Sequence, residues 1–228
     1  MSIMNVILWK EFVLLKKKKT STIFMMIGTT CIICLFIMVK LKSDGFNMIN
    51  YFSNINYASI MLAYIFYISF LKFWHEKAMN TLEVLFMLPT NLINIIIGKM
   101  LLPMIIALSY TIIFFSMASI IYFLITGVFI FNIYNLLQII FISFLFQFFY
   151  GIINCYAMWC ASLTYAKVIQ IISIILYLGS IFSLLIIPAK VSFFNSIGIW
   201  ITIFILGLYA LICFLRIDRE KAINTLPY

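Results

Sequence analysis

The sequence predicts an all-α membrane protein with six transmembrane helices and an N-terminal interfacial helix. Three observations carry that prediction. Of 228 residues, 66% are hydrophobic and 9% charged, with mean hydropathy +1.21; a soluble domain is about half apolar and about a quarter charged. The apolar residues fall in runs near the roughly 20 residues needed to cross a bilayer. The charges sit at the ends of those runs. Backbone immersed in hydrocarbon must satisfy its own hydrogen bonds, which a helix does.

The N-terminal element occupies residues 3–19. Ile3, Val6, Ile7, Trp9, Lys10 and Phe12 mix apolar and polar positions, and Lys16, Lys17, Lys18 and Lys19 follow. The segment is too short to cross the bilayer before its charges begin, so it predicts a helix lying on the membrane surface; a frayed tail is the alternative. Six spans follow at about 22–39, 55–73, 101–125, 134–161, 168–187 and 197–215, with Pro103 expected in the first turn of the third. The basic cluster before the first span could also open a signal peptide, but no small-residue cleavage site follows it and five more spans do. The chain reads as a single transmembrane domain over 1–228.

Orientation follows from the lysines and arginines. With the N-terminus inside, Lys10, Lys16 to Lys19, Lys72, Lys77, Lys99, Lys167, Arg216, Arg219 and Lys221 are cytoplasmic. Lys40, Lys42 and Lys190 are then outside. Six spans return the C-terminus to the cytoplasm. The expected location is the inner (cytoplasmic) membrane. The net charge of +9 belongs to these helix ends rather than to one exposed face. It therefore points to an anionic membrane surface and not to nucleic acid.

Little in the chain suggests bond chemistry. Cys31 and Cys34 have C-x-x-C spacing, but no second Cys/His pair completes a metal site; all five cysteines lie in apolar runs, where they serve as small fillers. His75, the single histidine, lies beside Trp74 and Glu76 at a span boundary and reads as an interfacial anchor rather than a proton relay. All six carboxylates lie outside the spans. A proton- or sodium-coupled carrier needs one within the bilayer, and a metal-dependent membrane enzyme needs carboxylate or histidine clusters. No Gly-x-x-x-x-Gly-Lys-[Ser/Thr] segment is present to cradle ATP.

Polar residues within the spans form stripes. Tyr57, Tyr64 and Tyr67 share a face of the second span. Ser143, Gln147, Tyr150 and Asn154 share one on the fourth, and Gln170, Ser173, Tyr177 and Ser180 one on the fifth. Each stripe has two readings: packing between helices of one chain, or the wall of a weakly polar translocation path. Packing is preferred for the fourth. An aromatic and hydroxylic wall without charge suits an amphipathic or lipid-like cargo better than a metal ion or sugar.

The most informative segment is the loop from Lys72 to Met100. Glu76, Lys77 and Glu83 are polar positions of an amphipathic helix whose apolar face is Leu82, Leu85 and Phe86. Pro89 ends it, and Thr90 or Asn91 is placed to cap a next, short helix. Periodicity alone leaves two readings of the amphipathic helix open: it docks into a partner's groove, or it lies in the lipid headgroups. The run Glu76-Lys77, Asn80-Thr81-Leu82-Glu83, Leu85, Pro89 and Gly98-Lys99 resembles the first cytoplasmic loop of type-2 ABC transporter permeases (ABC-2 transmembrane subunits). Their pattern is an acidic-basic pair, Gly-Thr-Leu-Glu, a Leu pair, Pro and a downstream Gly-Lys. Asn80 stands where the family usually has Gly, and Phe86 replaces the second Leu.

The resemblance implies a function. The loop would be a cytoplasmic coupling helix, with Glu76, Lys77, Thr81, Leu82, Glu83, Leu85 and Pro89 forming or flanking the contact with a separate soluble ATPase. Residues 3–19 would be the elbow helix. Two permease chains, as a homodimer or heterodimer, and two ATPase copies would assemble in the lipid bilayer. Tyr57, Tyr64, Tyr67, Gln170, Ser173, Tyr177 and Ser180 would line the path. The chain would be no enzyme and hold no cofactor, ATP and Mg being bound by the partner. Expected cargo is an amphipathic peptide or bacteriocin, drug or lipid moving outward. Haem-related export and a non-transport scaffold or accessory subunit are the alternatives. The family often caps the path on the outside with the region of residues 188–196.

Overall fold

A computed structural model describes residues 3–17, 48–71, 73–78, 81–87, 89, 91–129, 131–162, 165–175 and 197–224, with isolated positions between 24 and 35. Regular structure among the described residues is entirely helical. The helices are α1 (Ile3–Lys17), α2 (Met48–Phe70), α3 (Phe73–Ala78), α4 (Leu82–Phe86), α5 (Leu92–Thr126), α6 (Ile133–Trp159), α7 (Tyr165–Ile175), α8 (Ile197–Leu215) and α9 (Arg219–Asn224). Two of them, α5 and α6, are long and apolar enough to cross a membrane. The expected first span, most of it, the second half of the fifth, and residues 188–196 lie outside the described residues.

Side-chain pairings give the helix directions. Gln147 of α6 donates to the Ala63 carbonyl of α2, and further along Trp159 donates to the Phe73 carbonyl, at separations of 84 and 86 residues. A near-constant separation means α2 and α6 run parallel. The same holds for α6 and α8: Gly207 packs on the Phe149 ring, and Cys160 points at the Asp218 carbonyl. By contrast, α5 runs against α2, because Phe66 meets Tyr110 while the later Glu76 meets the earlier Lys99. It also opposes α6: Phe131 meets Phe115, whereas Gly151 meets Met100. The ends of α2, α6 and α8 and the start of α5 therefore share one end of the bundle. There α1, α3, α4 and α9 also gather.

Local sequence explains the element boundaries. Gly127 adopts the left-handed conformation, φ 74°, and stops α5. Asn132 then opens α6 by accepting a 2.9 Å bond from the Tyr134 amide. Hydroxyls inside the helices bond their own backbone: Thr111 to Ala107, Ser119 to Phe115 and Ser59 to Ile55. This leaves few polar demands on an apolar surround. The core joins α2, α5, α6 and α8 through residues such as Phe66, Tyr67, Phe114, Phe115, Ile153 and Leu206.

Two sequence expectations are corrected here. The helix that carries the third apolar run begins at Leu92, so Gly98 and Lys99 are helical rather than loop residues. Pro103 consequently sits well inside α5 instead of in its first turn. The 35 residues of α5 extend about 52 Å at 1.5 Å each, well beyond a hydrocarbon core of about 30 Å. The apolar boundary and the helix boundary differ because one face of the first turns, Ile95, Ile96, Gly98 and Lys99, packs on protein. Asn91 accordingly precedes a long helix, and its side chain makes no cap hydrogen bond. The second correction concerns residues 73–86. They form two short helices, α3 and α4, instead of one amphipathic helix.

Candidate functional site

The charged end of the bundle is the candidate site. Every described aspartate, glutamate, lysine and arginine belongs to an element gathered there or joined directly to one. Its centre is an ion cluster. Lys99, in the second turn of α5, is 5% exposed. Its ammonium lies 2.9 Å from Glu11 Oε1 of α1 and against Glu76 Oε1 of α3. Lys10 reaches the same Glu76 oxygen at 3.3 Å from a half-exposed position. One buried lysine thus ties α1, α3 and α5 together. Gly98 lets α1 approach, with Ile7 packed over the place a Cβ would occupy. Isolated buried charges are costly, and mutual pairing makes the group tolerable.

A second set of contacts fixes α3 and α4 to the end of α6. Trp159, fully buried, receives Phe73 and Phe86 edge-to-face at centroid distances of 5.1 and 5.5 Å. Its indole N–H donates to the Phe73 carbonyl at 3.2 Å. Lys77 donates to the Trp159 and Ala161 carbonyls at 3.4 Å each. A cation at a helix C-terminus meets the negative end of the helix dipole, while burial pushes the Lys77 pKa below its ordinary value. Arg219 of α9 donates to the Phe86 carbonyl at the end of α4.

These anchors leave α4 with two faces. Leu82, Leu85 and Phe86 are buried beneath it. Thr81, Glu83, Val84, Met87 and Pro89 are exposed, Val84 at 64% and Met87 at 79%. Of the residues the sequence assigned to ATPase contact, Thr81, Glu83 and Pro89 are therefore outward. Leu82 and Leu85 form the underside, and Glu76 and Lys77 brace the adjoining α3 from within. Val84 and Met87 are outward residues that the motif did not single out. Their signal was the helical spacing itself, which puts them opposite Leu82 and Leu85.

The polar stripes meet inside the chain. Tyr64 and Tyr67 of α2 stand edge-on to Tyr150 of α6, at 5.1 and 6.4 Å. Gln170 of α7 donates to Asn154 of α6 at 2.7 Å, and Ser173 donates to the Gln170 carbonyl. Tyr177 and Ser180 lie outside the described residues, as does the side chain of Tyr57. Among the described residues, no three His, Cys, Asp or Glu side chains converge to hold a metal ion. No family model, no curated protein and no solved structure matches the chain.

Proposed function

We propose that the chain is the membrane-embedded permease subunit of an ATP-driven ABC exporter of the type-2 class. A separate ATPase would power it. The observation that supports this best is α4: a short helix anchored by Leu82, Leu85 and Phe86, its outer edge of Thr81, Glu83, Val84 and Met87 open at the charged end of the bundle. A helix held on its own body, with exposed Val84 and Met87 beside Thr81 and Glu83 on its outer edge, suits insertion into a partner's groove. The six-span count, the inner-membrane location and the cytoplasmic position of α4 are parts of this proposal. Its support is the apolar composition and the gathering of charges at one end. Two permease chains and two ATPase copies complete the assembly. The cargo is an amphipathic peptide, drug or lipid carried outward.

The test is co-purification from native membranes. A soluble ATPase should accompany the wild-type chain and be lost from the double variant Glu83→Arg, Met87→Asp, which alters only outward side chains. If no ATPase accompanies the wild-type chain and transport follows an ion gradient, the proposal fails.

A further inference from the structure

The outward face of α1 is unusual for a helix end that carries so much charge. Ile7 and Glu11, four residues apart, are buried against α5. Nearly opposite them, at spacings of three and four, stand Trp9, Phe12 and Lys16. Trp9 is 63% exposed and Phe12 51%, and their rings stack at 6.1 Å. Lys10 flanks this stripe with its side chain 48% exposed. A stripe facing water would not carry two large stacked aromatics, and one facing hydrocarbon would not carry lysines. Aromatic rings beside lysines belong at the boundary between lipid chains and headgroups.

We propose that this stripe binds anionic phospholipid headgroups, Trp9 and Phe12 entering the upper acyl region while Lys10 and Lys16 engage the phosphate. The excess of positive charge on the chain, +9, favours an anionic over a zwitterionic lipid. Lys10 has a second consequence. It is shared between the surface and the buried Glu76, which Lys99 also holds. A lipid phosphate therefore competes with Glu76 for Lys10, so lipid charge is sensed at the cluster that braces α3. The inference rests on the membrane-embedded reading and is independent of the ATPase.

The experiment uses the full chain in lipid nanodiscs containing phosphatidylglycerol or phosphatidylcholine brominated near the top of the acyl chain. The Trp9 signal is obtained by subtracting the fluorescence of Trp9→Phe from that of the wild type. Phosphatidylglycerol should quench it at lower mole fraction, by roughly fivefold for each engaged lysine. The preference should disappear in Lys10→Gln, Lys16→Gln. Should that variant fail to fold, salt supplies the second readout: raising it should erase the preference in the wild type by screening. Equal quenching by both lipids, or a preference indifferent to salt, overturns the inference. So does an unquenched Trp9, which would mean that a protein surface covers the stripe. A chain that stays soluble without detergent would instead overturn the membrane reading itself.

Discussion

Lys99 Nζ lies 2.9 Å from Glu11 Oε1, joining α1 to α5 across 88 residues of sequence. Since the same ammonium also holds Glu76, Lys99→Met would strip the buried Glu11 of this ion pair and leave Glu76 to the half-exposed Lys10. The expected loss is about 3–5 kcal/mol, typical of removing one partner from a buried ion pair. Glu11→Gln should cost much less, because Lys99 keeps Glu76. Thermal unfolding of both variants in detergent checks the order; equal losses would mean that Lys99 is not the hub.

Gly151 of α6 faces side chains of both α2 and α5. A Cβ there would collide with the Tyr67 hydroxyl of α2 and the Met100 side chain of α5. Gly151→Ala should destabilise the chain by about 1–3 kcal/mol, as overpacking does. Tyr67→Phe, by removing the hydroxyl, should recover part of that loss. A double-mutant cycle by thermal unfolding measures the coupling, and additive effects would contradict the packing described.

Trp159 pins α3 and α4 through two ring contacts and one hydrogen bond. Trp159→Ala should cost about 3–5 kcal/mol and release α4 from the end of α6. Hydrogen exchange should rise most over residues 73–86. An increase confined to α6 would show that α4 is held by other contacts.

Lys77 gives a pH dependence with a definite sign. Burial lowers its folded pKa below the ordinary value of 10.5, so between those two values the unfolded chain binds more protons than the folded one. The folded state is then penalised at lower pH and recovers as pH rises toward 10.5. The wild type should gain melting temperature relative to Lys77→Met as pH increases through that window. A difference that stays flat or moves the other way would refute the desolvated lysine.

Much of this architecture was readable because hydropathy and helical period act locally. The helical class, the gathering of charges at helix ends and the two-faced segment around Leu82, Leu85 and Phe86 all follow from composition and spacing. The start of α5 did not. Its first turns carry Asn91, Asn94 and Lys99, which read as a loop because nothing in the run reveals that Glu11 and Glu76 neutralise Lys99. Partners 88 residues apart leave no local signal. The break between α3 and α4 was hidden for a similar reason, since Trp159 and Arg219, which hold the two pieces, are distant in sequence. Among the path candidates, helical spacing gave Tyr64 and Tyr67 a common face, but their partner Tyr150 became visible only when α2 and α6 were placed side by side.

The most direct test of the permease assignment is a photo-activated crosslinker at position 87, the most exposed apolar residue on the outer edge of α4. In native membranes it should capture a soluble subunit that binds ATP, and the adduct should vanish when Glu83→Arg is added. Adducts only with lipid or with other copies of this chain would contradict the account.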